Sequence, residues 1–458
     1  MAELLRRPLV VVSERPRSSA DGQGDRTREV RSLPGREPER IPPRREGRRM
    51  LDPDVRCVVG IDVAKRGHVV CALDVPTGAV RQKALKIEAT AEGYAGLRAQ
   101  LGRWGTPQQL LVGVEATGSL WEPLHDALTR AGYRVVVLNP RQTAAWAAGL
   151  GLRAKTDGLD AQTLARGLLA GYARASVLPS EAVQALRELT RARRDLVQSQ
   201  TAARQRLQDE LVVVFPELPG HTPDHCDLAT PAVLHLLSAY GSARDLAAAP
   251  LADVATLLGQ HSKARWGEAQ AQALQALAAR SAASTRAVAA RAIVVRTFAR
   301  HLLDLQPRIA ELEAALAAVL REDADGRRLR RVPGIGRIHA ATIRAELGDV
   351  SRFTSVDQVV AYAGLEPRTR QSGAFVGQPK LSKRGPGALR HALYLATVVA
   401  VRCRAEWRTR YQRLLDRGRG KKEALAILSR ALLKVIYHLL RTGASYDPAR
   451  LSPLAPAG

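Results

Sequence analysis

Between Val58 and Leu169 the period of the apolar positions changes repeatedly, and each change marks an element. Val58-Val59-Gly60-Ile61-Asp62-Val63 and His68-Val69-Val70-Cys71-Ala72-Leu73 are short β-type runs, and after the turn residues Pro76-Thr77-Gly78 a third spans Val80 to Ile87. Helical spacing follows from Thr90 to Leu101, then a buried-type strand Leu110-Leu111-Val112-Gly113-Val114 and a helix from Leu120 to Ala131. Val135-Val136-Val137-Leu138 forms the last strand, and a helix from Asp157 to Leu169 completes an α/β unit.

Beyond Pro179 the pattern is helical almost throughout, with Ser180 at an N-cap position and Leu186, Leu189, Leu196, Leu207 and Leu211 along one face. Leu302, Leu305, Ile309, Leu312, Leu316 and Val319 alternate spacings of three and four, a heptad seam that predicts either a coiled coil between protomers or a helix packed within the chain. Pro307 falls inside it and predicts a kink or a helix start. Near Arg327 a further domain opens with Val332-Pro333-Gly334-Ile335-Gly336-Arg337 before a helix at Ala340 to Leu347. This resembles the hairpin of a helix-hairpin-helix, where Gly334 and Gly336 would let backbone N–H groups approach a phosphate, although an ordinary glycine turn has the same letters. A polar loop, Leu365 to Arg384, leads to helices at Ala388 to Val401 and Lys421 to Leu440. The expected organisation is a disordered Arg/Pro-rich extension at 1–50, an α/β domain at 51–175, a helical or coiled-coil segment at 176–326, a mainly helical domain at 327–445 and a tail at 446–458. Met50 stands directly before the folded pattern, so the extension reads equally as a basic arm or as sequence ahead of the true start.

Charge changes the picture more than composition does. Lys and Arg number 70 against 44 Asp and Glu, a formal charge of +26, which predicts a polyanionic partner such as nucleic acid. Aromatic residues make up 4%, so recognition should lean on phosphates more than on base stacking. Cys57, Cys71, Cys226 and Cys403 form no zinc-type spacing, and no apolar run is long enough to span a bilayer. A reduced, cytoplasmic protein with no membrane contact is the expectation.

Three strands, helix, strand, helix, strand is the order of an RNase H-like domain. In that order Asp62, in the first strand, and Glu115, at the end of the fourth, come side by side, and Asp157 and Asp160 add two carboxylates on one face of a helix start. Such a quartet repels itself unless a cation neutralises it, and an all-oxygen set suits Mg2+ or Mn2+. Ions held this way stabilise in-line displacement at phosphorus. Gly60-Ile61-Asp62 also opens the sugar-kinase and actin-like ATPase fold, but Val63-Ala64-Lys65 lacks the glycine and threonine run that wraps a phosphate there.

Gly60-Ile61-Asp62-Val63-Ala64-Lys65, Val114-Glu115-Ala116-Thr117-Gly118, Asn139-Pro140 and Lys155-Thr156-Asp157-Gly158-Leu159-Asp160-Ala161 resemble the Asp-Glu-Asp-Asp insertion-sequence transposases, the one-ten family, with a RuvC-like domain. Pro333-Gly334-Ile335-Gly336, Tyr362-Ala363-Gly364-Leu365, Pro367-Arg368, Ser372-Gly373, Ser382-Lys383-Arg384-Gly385 and Leu389-Arg390 follow that family's second domain in order. The resemblance covers most of residues 56–445. It implies recombination of DNA with Asp62, Glu115, Asp157 and Asp160 as metal ligands and Ser372 as nucleophile. It also implies a dimeric or tetrameric assembly whose sites combine halves from different protomers, and a structured noncoding guide RNA. By itself a serine before glycine in an Arg-rich loop reads as a solvated turn residue. Around it Arg368, Arg370, Lys380, Lys383, Arg384 and Arg390 are candidate phosphate contacts. The chain departs from the family in its longer middle, with an apparent insertion from Leu218 to Arg265, and in its N-terminal extension. The competing readings are a junction-resolving nuclease or invertase that uses water as nucleophile, and a non-catalytic nucleic-acid-bridging protein.

Overall fold

The computed structural model describes residues 51–149, 156–171, 176–368, 371–372, 375–376 and 380–450. The extension at 1–50, Lys155 and Arg370 therefore lie outside the described residues. The chain divides into two compact units, Met1–Arg174 and Ala175–Gly458.

In the first unit, β1 (Cys57–Val63), β2 (Gly67–Asp74) and β3 (Val80–Glu88) form an antiparallel meander, followed by α1 (Ala91–Trp104), β4 (Leu110–Glu115), α2 (Glu122–Arg130) and β5 (Arg134–Leu138). The sheet order is β3-β2-β1-β4-β5, with β4 parallel to both β1 and β5. A five-stranded mixed sheet of this order with helices on it fits an α/β RNase H-like fold. Two further helices, α3 (Pro140–Gly149) and α4 (Asp157–Leu169), complete the unit. Alternation along the strands sends Cys57, Val59, Ile61 and Val63 to one face, under α1 and α2, and Val58 and Gly60 to the other, under α4. On the first face Leu97, Leu101, Leu124 and Leu128 are fully buried, each side chain contributing about 2 kcal/mol. On the second, a Cβ at Gly60 would collide with the Ala161 carbonyl, so glycine is what lets α4 lie flat on the sheet. Cys57 and Cys71 sit on opposite faces, both thiols free, and burial pushes Cys57 up to about 11.

Helix α3 has no counterpart in the sequence-based expectation. Its residues are mostly alanine and polar, and only Thr143 is buried, so there is no apolar stripe for periodicity to register.

The second unit opens with α5 (Glu181–Val214), and Ser180 holds the N-cap position without making the capping hydrogen bond. Helices α6 (Pro231–Ala239), α7 (Ala243–Ala247), α8 (Leu251–His261) and α9 (Glu268–Ala279) precede α10 (Val288–Glu322). Helices α5 and α10 run antiparallel, tied by Arg193–Glu313 and Arg291–Glu210 ion pairs. One end of this pair shares a core with α6 to α9, so the apparent insertion at 218–265 is built into a helical module around Leu234, Leu258 and Leu274. The other end shares a core with α11 (Ala324–Leu329), α12 (Arg337–Leu347), α13 (Val356–Ala363), α14 (Gly387–Cys403), α15 (Ala405–Asp416) and α16 (Lys421–Thr442). The seam lies within α10, Pro307 included, and Leu302, Leu305, Ile309 and Leu316 are buried against their own chain. The spacing thus finds its partner without a second copy.

Between α13 and α14 the expected loop carries four two-residue strands: β6 (Pro367–Arg368) pairs with β9 (Lys380–Leu381), and β7 (Gln371–Ser372) with β8 (Phe375–Val376). No helix among the described residues is long and apolar enough to cross a membrane.

Candidate active site

Parallel pairing of β1 with β4 runs through Ile61 opposite Val114, so Asp62 and Glu115 each stand one residue beyond the last matched pair. By strand alternation both belong to the α4 face: Asp62 follows Val58 and Gly60, and Glu115 follows Leu111 and Gly113, whose missing Cβ would meet Leu168 of α4. Neighbouring strands lie about 4.8 Å apart, so two carboxylates at adjacent strand ends on one face are neighbours by construction. Helix α4 crosses this face with Asp157 and Asp160 in its first turn, capped by the Thr156 hydroxyl, which accepts from the Leu159 N–H at 3.4 Å. Asp160 is half-buried, whereas Asp157 is exposed. Ala161, next to Asp160, packs over Gly60, two residues before Asp62.

Glu115 is held. The Thr143 hydroxyl of α3, 6% exposed, lies 2.5 Å from Glu115 Oε2, and Thr117 donates to Oε1 at 3.2 Å. Thr143 is itself placed by the start of α3, where Asn139 Oδ1 accepts from the Arg141 N–H at 2.9 Å and the Thr143 hydroxyl also meets the Pro140 carbonyl at 3.0 Å. Charge-assisted bonds of this kind fix a carboxylate's rotamer. Among the described residues no three carboxylate, imidazole or thiol groups are close enough as they stand to form a metal-holding group. The strand ends bring Asp62 and Glu115 together, and the first turn of α4, with half-buried Asp160 and exposed Asp157, lies over the same face. Thr143 escaped sequence reasoning because a lone threonine in an alanine-rich helix carries no signal, although Asn139-Pro140, three residues ahead of it, does.

In the second unit Gly334 has φ +81°, and a Cβ there would collide with the Ala396 carbonyl of α14. Packing against α14 is thus a sufficient reason for glycine at 334, and it differs from the phosphate approach expected there. Gly336, the residue before α12, is open on the side its Cβ would take. Arg368 and Lys380 pair across β6 and β9, and Ser372 pairs with Phe375 across β7 and β8. Lys383 has φ +50° and Arg384 is exposed. Arg390 donates to the carbonyls of Ala363 and Gly385 at 3.0 and 3.1 Å, which ties the end of α13 to the segment after β9 and occupies a group expected at a phosphate.

Comparison with known families matches both halves. A transposase model of the DEDD type named for IS110 covers residues 59–216, and the model described as transposase of the IS116/IS110/IS902 family covers residues 326–412. The chain carries the transposase domains of the IS110 and IS116 family. This places it among DNA transposase and recombinase enzymes. An insertion element IS900 protein of Mycobacterium paratuberculosis is 30% identical over 49% of this transposase and 56% of its own length. An insertion element IS116 protein of Streptomyces clavuligerus is 26% identical over 86% of this chain and 97% of its own. The pilin gene-inverting protein of Moraxella bovis is 31% identical over 26% of this chain and 38% of its own.

Proposed function

We propose that this transposase breaks and rejoins DNA strands, with Asp62, Glu115, Asp157 and Asp160 holding Mg2+ or Mn2+ and Ser372 attacking the scissile phosphate. The observation that carries the reading is the pair of adjacent strand ends that set Asp62 and Glu115 on one face beneath the start of α4. All four groups are hard oxygen donors, which fits a hard divalent ion better than zinc. Bound there, such an ion supplies positive charge to the phosphoryl oxygens.

The chain's own groups do the rest. The Ser372 hydroxyl forms a bond from Oγ to phosphorus as the bond from phosphorus to a deoxyribose oxygen breaks, and that oxygen leaves with a proton as a free hydroxyl. Rejoining runs the same exchange backward onto a different strand, releasing serine. Arg368, Arg370, Lys380, Lys383 and Arg384 neutralise the non-bridging oxygens during both steps, and Gly336 leaves a backbone N–H approachable at the start of α12. Because carboxylates and serine lie in different units, the reading assigns their meeting to an oligomer, dimer or tetramer, with a structured noncoding RNA choosing the DNA. Support for these two parts is the family membership and the charge of +26.

The test is a covalent complex. Incubated with element-end DNA and Mg2+, the wild-type protein should yield a denaturant-resistant protein–DNA adduct, and Ser372→Ala should bind the DNA yet yield none. An adduct at wild-type yield from Ser372→Ala removes that serine; strand breakage with no adduct from either protein moves the reading to a nuclease that uses water.

A further inference from the structure

The opposite face of the same strand ends carries a second feature, separate from the carboxylates. Between α1 and α2 lies a cleft of about 880 Å³, reached by the turn after β1 and by Ser119 and Leu120 after β4. Its rim bears Lys65, Arg98 and Arg130, all exposed, against one carboxylate, Asp126. The floor is built mostly from alanines and Pro123, and the N-terminal end of α1, at Thr90 and Ala91, opens into it.

The polar wall of this cleft has a defined direction. His68 is 2% exposed, on β2 beside Val63. Its Nδ1 accepts from the Ala64 N–H at 3.2 Å, so Nδ1 carries no proton and the remaining ring proton is on Nε2. Burial also holds His68 below its ordinary range, which keeps the ring neutral. Nε2 stands 3.3 Å from the Tyr94 hydroxyl and, being protonated, donates to it. The two rings stack with centroids 5.8 Å apart. Tyr94 Oη therefore has an acceptor role already filled, and its own proton is left to donate into the cleft that Tyr94 lines. The Tyr94 hydroxyl and three cations thus offer donors to the cleft, against the carboxylate of Asp126.

We infer that this cleft is a subsite for a polynucleotide, with a backbone phosphate accepting from Tyr94 and paired with Lys65, Arg98 and Arg130, and the adjoining sugar and base against the alanine floor. Ala64 and Lys65 follow Asp62 by two and three residues and Ser119 follows Glu115 by four, so a strand leaving the carboxylate face has a short path over the strand ends into the cleft. The inference rests on the reading that the chain handles nucleic acid, but not on how it cuts.

The full-length protein is titrated with short single-stranded DNA and with RNA of the same sequence, each carrying a photoreactive uracil, over a range of salt. Tyr94→Phe keeps the ring against His68 and should weaken binding about tenfold, the loss of one hydrogen bond to a charged acceptor. Arg98→Ala with Arg130→Ala should weaken it further and lower the log–log salt slope by about 1.4, the value for two phosphate contacts on a single strand. Cross-links to residues 90–98 should disappear in the same variants. Loss in the DNA arm names DNA as the occupant and loss in the RNA arm names RNA; unchanged affinity, slope and cross-links in both arms overturn the subsite. Asp62→Asn, run alongside, separates the two ideas: continued strand breakage by it refutes the carboxylate reading and leaves the cleft to be judged by binding alone.

Discussion

The carboxylate end of the first unit and the serine-bearing segment of the second are built by different means. Asp62 is next to last in a strand of seven residues and Glu115 ends one of six, both strands buried almost throughout, and their positions follow from sheet register. Ser372 sits in a strand of two residues paired with another of two, and the segment around it is anchored from outside. Gly364 and Gly385 pack backbone to backbone there, and Arg390 bridges Ala363 and Gly385. A side chain on a long strand inherits its precision from many ladder bonds; one on a short ribbon depends on a few anchors. On the proposed reading, activity is therefore damaged in the first unit only by changes near the carboxylates, and in the second also from a distance.

Three substitutions sharpen that contrast. The largest effect belongs to Asp62→Asn, which removes a charge from the strand end without touching the core: strand breakage should fall about a thousandfold or more, with DNA affinity within a factor of two of wild type, checked by cleavage and binding assays side by side. Normal cleavage by this variant ends the carboxylate assignment. Next is Gly385→Ala, at φ +120° with its Cβ directed into the Tyr362 carbonyl. It should destabilise the second unit by about 3 kcal/mol in a denaturant titration, and reduce adduct formation although residue 385 contacts no reacting atom. An unchanged midpoint would show that the serine segment has no such anchor. The smallest is Thr143→Val, which keeps shape and burial but removes the hydroxyl at Glu115. Mn2+ affinity followed by calorimetry should weaken about 10- to 100-fold, the usual effect of a group that orients a metal ligand, with Thr143→Ser restoring it. Equal affinity for all three side chains would leave Thr143 a packing residue.

Much of the first unit is legible in its letters. The strand ends placed by alternation fall within a residue or two of those observed, because β-branched runs bounded by turn residues have few other ways to bury themselves. That Asp62 and Glu115 fall at adjacent strand ends was legible too, since strand order plus equal offset from a buried run fixes both register and face. Thr143 was not, because its importance is a contact between residues 28 apart on elements that the pattern does not connect. Gly334 illustrates a different gap: a glycine turn before a helix has one appearance whether its open side meets a phosphate or another helix, and here it meets α14.

The heptad seam draws the boundary most clearly. Spacing alone determines that one side of α10 must be covered, since leaving Leu302, Leu305, Ile309 and Leu316 in water costs about 2 kcal/mol per side chain. It does not determine by what, because burial is non-directional and rewards any apolar partner equally. Only the tertiary structure decides that α5 and the helical modules of the same chain supply the cover, just as it decides that the Ala64 N–H and the Tyr94 hydroxyl meet the two ring nitrogens of His68. Periodicity is a property of the chain, whereas partners and directions are properties of how distant segments meet.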